Sequence, residues 1–367
     1  MTSAIRVLLV ADSHLGLDLP VRPRVVRRRR GHDFLANHAA ALEPALRGEV
    51  DIVVHGGDVF HRPKVPASLA HQAYAPLRRV ADRGVPVLVV PGNHERSRLP
   101  HPGLALHPNL HVFDRPRTFV LEIRGVRVAL AGFPFERAVR ARFPALLERT
   151  RWQREAASLR LLCMHQCVEG ATVGPGDFTF TTASDVVRAQ DLPHGLAAVL
   201  SGHIHRQQVL TNDLRGQPLP VPVLYPGSIE RTSAAEIGEP KGFMVVDVAT
   251  GDRFGATTWE FRRLPARPLL QEQLRASRWS SRALDAAVRA LVAAAPPDAV
   301  LQIRVAGDVA AADLSVLSAA RLRTFVPETL NVEIRVRDGA APFRKLRRAR
   351  PVHRPQQEDQ TSLQLEF

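Results

Sequence analysis

IRVLLVADSHLG, residues 5–16, is an apolar run that stops abruptly on an aspartate, a serine and a histidine. Its valines and leucines read as a strand buried on both faces. Asp12 and His14 then leave the strand at one end. Donors placed just beyond buried strands are where open α/β sheets bind their ligands.

The same texture recurs along the chain. DIVVHG (51–56) runs into Asp58 and His61, and PVLVVPG (86–92) runs into Asn93 and His94. LRLLCMH (159–165) ends on His165, and LAAVLSG (196–202) is followed by His203 and His205. VRVALAG (126–132) adds a sixth apolar run. HDFLANHAAALEPALR (32–47) and PASLAHQAYAPLRRVADRG (66–84) have helical patterning, so the order predicts a layered α/β domain. PVLYPGS (222–228), GFMVVDV (242–248) and TTWEFRRL (257–264) predict strands that complete a second sheet or an edge.

Near Pro265 and Pro268 the pattern changes. Residues 266–340 predict a small α+β domain: helix 281–295, strand 300–307, helix 311–325 and strand 331–338. Residues 341–367, basic and then polar, predict a flexible tail after domains at 1–265 and 266–340.

Seven donors follow the strands: Asp12, His14, Asp58, Asn93, His165, His203 and His205. Each cluster alone reads as turn chemistry, since Gly-Asp and Gly-Asn favour loops. Five in succession, each punctuating a buried strand, point instead to a dinuclear metal centre. Mixed imidazole, carboxylate and amide donors suit Mn, Fe or Zn rather than calcium.

Bulk properties exclude several classes. No apolar run is long enough for a transmembrane helix. IRVLLVA resembles a signal h-region in length but runs into Asp12 with no cleavage site, so it reads as a strand. Cys163 and Cys167 make neither a disulfide framework nor a zinc motif; they read as packing residues in a reduced, cytoplasmic protein. The 50 basic and 36 acidic residues give a net charge of +14. That excess suits a polyanionic partner, although the arginine and alanine bias also fits GC-rich coding.

The series D-x-H, G-D, G-N-H-E, H and G-H-x-H, across residues 5–205, resembles the calcineurin-like metallophosphoesterases. DSHLG (12–16), GDVFHRPKVP (57–66), His165-Gln166, YPGSIER (225–231) and EPKGFMVVDV (239–248) further resemble the SbcD-type nuclease subunits of bacterial DNA repair. The resemblance implies a four-layer β-sandwich flanked by helices, with residues 266–340 as a capping domain. It also implies one metal held by Asp12, His14, Asp58 and His205. A second would be held by Asn93, His165, His203 and the bridging Asp58. The metals would be two divalent ions, Mn2+ first, with Fe or Zn as alternatives.

His94 is then the general acid, and His61 positions the phosphate or supports His94. Glu95 is a loop residue bracing its neighbours, and His55 a strand residue behind the centre. Ser/Thr phosphatases of the superfamily read G-D-x-V-D-R-G where this chain reads Gly57-Asp58-Val59-Phe60-His61-Arg62-Pro63, which disfavours that class. DNA is the expected substrate; small or cyclic nucleotides, or a non-catalytic DNA-binding scaffold, are the alternatives.

Arg22, Arg24, Arg27, Arg28, Arg29 and Arg30 follow the first metal motif and are candidates for phosphate contacts, against a reading as a solvated, codon-biased loop. The resemblance further implies homodimerisation, with 66–84 as the candidate surface, and an SbcC-like ATPase partner. Residues 341–367 show no amphipathic helical pair to grip that ATPase, so this partner rests on resemblance alone.

Overall fold

The computed structural model describes residues 4–20, 27–250, 256–309, 313–337 and 344–345. Arg22, Arg24 and nearly all of the basic tail lie outside them.

Two six-stranded sheets form the bulk of the molecule. The first joins β1 (Ala4–Val10), β2 (Ile52–His55), β3 (Val87–Val89) and β4 (Leu110–Val112) in parallel. β15 (Gly242–Ala249) and β16 (Thr257–Arg263) return antiparallel along its edge, in the order β16-β15-β1-β2-β3-β4. The second sheet contains β5 (Arg117–Ile123), β6 (Val126–Gly132), β7 (Leu159–Met164), β12 (Ala198–Ser201), β13 (Gln208–Asn212) and β14 (Pro218–Tyr225). Its order is β13-β14-β12-β7-β6-β5, with parallel centre strands and antiparallel edges. Four two-residue strands fill the loop between β7 and β12: β8 (Cys167–Val168) pairs with β11 (Val186–Val187), and β9 (Thr172–Val173) with β10 (Phe178–Thr179).

Alternation along the strands explains the continuous apolar runs. Leu8 and Val10 of β1 face α1 (Arg30–Leu46) and α2 (Ala67–Asp82), packing with Phe34, Leu42, Tyr74 and Leu77. Ile5, Val7 and Leu9 point the other way, against Leu130, Leu161 and Leu200 of the second sheet. That sheet in turn buries Leu162, Met164 and Val199 with Phe143 and Leu147 of α3 (Val139–Thr150). The result is four layers, helix, sheet, sheet and helix. The central strands of both sheets are covered on both faces, so they have no polar side to alternate with.

A third sheet, β17 (Leu269–Trp279), β18 (Val300–Val309), β19 (Asn331–Arg337) and β20 (Arg344–Lys345), has its own core. Ser280 caps α4 (Ser281–Ala294) by accepting from the Ala283 amide, and Leu284, Val288 and Val292 face the sheet at helical spacing. The helix expected over 311–325 is not continuous. Its described part is a 3-10 turn, Asp313–Leu317, followed by the single-turn α5 (Ala319–Leu322). LLQEQLRASRW, which carries no apolar run, forms β17. It is an edge strand that buries Leu269, packs the half-buried Leu270 and Leu274 on the third core, and leaves polar side chains outside.

Arg267 joins the third sheet to the rest. Its guanidinium, 6% exposed, donates to Asp33 Oδ2 (3.1 Å), Asn331 Oδ1 (2.9 Å), Asp298 O (2.5 Å), Ala299 O (3.2 Å) and Thr329 O. Among the described residues no helix is long and apolar enough to cross a membrane.

Candidate metal centre

Five strands that carry a polar cluster end at the same rim. β1 delivers Asp12 and His14, β2 delivers Asp58 and His61, and β3 delivers Asn93 and His94. From the facing sheet, β7 delivers His165 and β12 delivers His203 and His205. Backbone bonds knit the loops together: the Asp12 amide donates to Gly57 O and the His14 amide to Asp58 O, each at 2.9 Å. His165 Nδ1 reaches across the sandwich to Gly56 O at 2.7 Å.

All seven donors named from the sequence meet here, in two knots. His14 Nε2 lies 2.9 Å from His205 Nε2 and 3.8 Å from Asp58 Oδ2, and His205 Nε2 lies 3.8 Å from Asp12 Oδ1. In the other knot, Asn93 Oδ1 is 3.0 Å from His165 Nε2 and 3.1 Å from His203 Nδ1. His165 Nε2 is 3.4 Å from Asp58 Oδ2, which therefore borders both knots. Donors around one divalent ion, with bonds of about 2.1 Å, stand roughly 3.0–3.4 Å apart. Ligand atoms of Asp12, His14 and His205, and of Asp12, Asp58 and His165, fall within 4.8 Å of one another. The residues fit a pair of divalent cations.

Protonation divides the donors: against burial, Asp58 raises His165 to about 9, and Glu236 and Asp12 raise His205, so an ion must displace those protons. Burial pushes His203 down to about 3 and His14 well below the ordinary imidazole value, leaving lone pairs free. Burial opposes ionisation of Asp58, but His165, His14 and His94 outweigh it and hold its carboxyl far below the usual range.

The backbone is bent to make this geometry. Asp12, His14, Asp58 and His203 have φ of +51°, +43°, +51° and +83°. Left-handed conformations at residues with a Cβ cost on the order of 1–2 kcal/mol each, and they persist where surrounding structure over-determines them. Close approach also demands glycine: a Cβ on Gly57 would overlap the His165 ring, and one on Gly92 the Asp58 carboxylate.

His94 borders the first knot: ligand atoms of His14, His61 and His94 also fall within 4.8 Å of one another. Its side chain is 35% exposed, and its Nδ1 bonds to His61 O at 2.9 Å. A carbonyl only accepts, so Nδ1 carries the proton and Nε2 is the nitrogen turned to the site, 4.0 Å from Asp58 Oδ2. The His61 ring centroid is 5.2 Å from that of His94.

The calcineurin-like phosphoesterase family model matches residues 5–207, over half the chain and every donor above. The chain belongs to that family. Among relatives, the DNA double-strand break repair protein Mre11 of Aeropyrum pernix is 28% identical over 276 residues, covering 72% of this chain. An SbcCD nuclease subunit of Bacillus subtilis is 25% identical over 285 residues, covering 70% of this chain and 68% of its own. This phosphoesterase spans about three fifths of the length of the Aeropyrum relative, 62%.

Arg27 to Arg30 do not join the donor cluster. Arg27 bonds to the carbonyls of Pro327 and Leu330, Arg28 to Asp33, Arg29 to Asp18, and Arg30 to Arg231 O. The supporting residues were less legible in the sequence than the donors. Glu95, expected only to brace its neighbours, accepts from the Phe60 and Gly92 amides at 2.7 Å each, tying the second loop to the third. Glu236 meets His205 Nδ1 at 3.2 Å. Only the phrase EPKG hinted at Glu236's partner Lys241; Glu236 itself sits in an unremarkable AAEIG.

Proposed function

We propose that this phosphoesterase is a DNA nuclease that hydrolyses phosphodiester bonds with two divalent cations, Mn2+ first, and Fe or Zn as rivals. The observation that carries the reading is the meeting of seven oxygen and nitrogen donors in two knots that share Asp58. Asp12, His14, Asp58 and His205 would hold one ion, and Asp58, Asn93, His165 and His203 the other. Such ions supply Lewis acidity at a phosphate and make water acidic enough to attack near neutral pH.

The chain's own residues supply the rest. His94 keeps Nδ1–H on the His61 carbonyl, so its Nε2 is the atom that, once protonated, gives a proton to the departing alkoxide. That Nε2 lies 4.0 Å from Asp58 Oδ2, on the side of the knots. Burial, then the neighbouring His94 and Arg62, push His61 down to about 4. His61 is therefore neutral at working pH and positions phosphate by hydrogen bonding, while its carbonyl aims His94.

Support for DNA comes from the names of the relatives and from the net charge of +14. In this reading residues 1–265 form the catalytic unit and 266–340 a cap over the substrate. Arg22, Arg24 and spare donors of Arg27 to Arg30 take backbone phosphates. Pairing through 66–84 and an SbcC-like ATPase belong to the same proposal.

Purified protein with Mn2+ should degrade linear duplex DNA. His94→Ala should lower that rate by at least about 100-fold while calorimetry still counts two bound ions. Cleavage of bis-p-nitrophenyl phosphate with no action on any DNA would replace the substrate with a small or cyclic phosphodiester. No metal uptake would leave a DNA-binding scaffold.

A further inference from the structure

Lys241 is a lysine without water. Its side chain is wholly buried, a placement that needs matched counter-charge. Nζ donates to Glu236 Oε2 at 2.6 Å, Ser228 Oγ at 2.9 Å, His205 O at 3.0 Å and Glu239 Oε2 at 3.2 Å. Glu239 is shared with Arg206, whose Nε lies 3.1 Å from Oε1. Arg206 also bonds to Asp177 at 2.6 Å, so the cluster contains two cations and three carboxylates.

The free side of Glu236 is turned to the metal centre. Its Oε1 accepts from Thr232 Oγ1 at 2.5 Å and from His205 Nδ1 at 3.2 Å. A carboxylate only accepts, so Nδ1 of His205 carries a proton and Nε2 is the nitrogen left to face the metal centre. That Nε2 is the atom 2.9 Å from His14 Nε2 and 3.8 Å from Asp12 Oδ1. His165, in the other knot, is aimed by a backbone carbonyl instead.

We propose that Glu236, held in place by Lys241, is a positioning residue that fixes the tautomer and direction of His205. It thereby sets the affinity of one metal site, that of Asp12, His14, Asp58 and His205, and leaves the other site alone. The inference rests on the reading of His205 as a metal ligand. A carboxylate behind a ligating imidazole orients the ring and raises its basicity, an effect worth about 10–100-fold in metal affinity.

The test uses the full chain stripped of metal and titrated calorimetrically with Mn2+. Glu236→Gln should weaken one of two binding events by about 10–100-fold and leave the other within about twofold. Glu236→Gln leaves Lys241 under-compensated, so the double variant E236Q/K241M is run beside it and should show the same selective loss. Nitrogen-15 spectra of metal-free wild-type protein should show His205 protonated on Nδ1, a signature that a merely structural ion pair would not impose. Finding Nδ1 bare, with the proton on Nε2 alone, overturns the proposal, even if every variant fails to fold. So do unchanged affinities in Glu236→Gln, or a parallel fall of both that K241M repairs. His205→Ala separates the two levels: if it leaves both events intact, the ligand reading itself falls, whereas loss of one event there and none in Glu236→Gln sinks this inference alone.

Discussion

Outside the donor cluster, His38 ties folding stability to pH. Four hydrogen bonds run in one direction behind the metal loops. The Gly57 amide donates to His55 Nδ1 (3.2 Å), His55 Nε2 to Ser13 Oγ (2.8 Å), Ser13 to His38 Nδ1 (3.2 Å), and His38 Nε2 to Ala73 O (3.0 Å). Each imidazole in that chain must be neutral, because a second proton removes an acceptor. Burial pushes His38 down to about 4 from 6.5. The unfolded chain therefore takes up a proton near pH 6.5 that the folded chain refuses until about 4. His38's contribution is complete above pH 6.5 and is lost as pH falls through that window, by about 1.4 kcal/mol per pH unit. Urea midpoints of metal-free protein at pH 7 and 5 check this: wild type should lose about 2 kcal/mol more than His38→Gln. The seven donors were legible in the sequence because five polar clusters in succession, each straight after a buried strand, are more than turn chemistry asks for. Their supports were harder to see. His38, Ser13, Glu95 and Glu236 act on loops distant in sequence, and nothing in a helix or loop pattern marks which buried polar atom a neighbouring loop will need.

Among the elements, the strand-to-loop turns set the geometry, and Gly92 tests how tightly. Its missing Cβ makes room for the Asp58 carboxylate, and its amide donates to Glu95. Gly92→Ala keeps an ordinary backbone conformation but drives a methyl into Asp58, the donor that borders both knots. Both Mn2+ affinities should drop, each by at least about tenfold, with little change in helix content by circular dichroism. A wild-type calorimetric profile would mean that the loop yields and that Asp58 is not fixed by this contact. The buried strands β1, β2, β3, β6, β7 and β12 were readable because two covered faces force continuous apolar runs. β17 was not, because an edge strand with one wet face needs little more than Leu269, Leu270 and Leu274. The helical pattern over 311–325 was overruled after Leu317. Ser318 caps a new single turn there by accepting from the Arg321 amide, which interrupts one continuous helix.

For the whole molecule, the excess of arginine has a structural use that composition could not disclose. Arg27, Arg28, Arg30, Arg231 and Arg267 stitch the third sheet and α1 to the loop after β14, which reads equally well as charge for a polyanion. Arg267 is the centre of that seam, bonded to Asp33 on one side and to Asp298, Ala299, Thr329 and Asn331 on the other. Arg267→Met keeps the buried stem and removes the charge. Asp33 is then left to the half-exposed Arg28, and several buried carbonyls lose their donor. Breaking a buried pair from one side typically costs about 3–5 kcal/mol. The cost should fall on the seam and not on the sandwich, whose cores lie elsewhere. Hydrogen exchange should therefore quicken across 298–305 and 329–336 while β1, β2 and β7 keep wild-type protection. Equal loosening of all strands would make Arg267 a support of the entire fold, and no change would show that the seam holds without it.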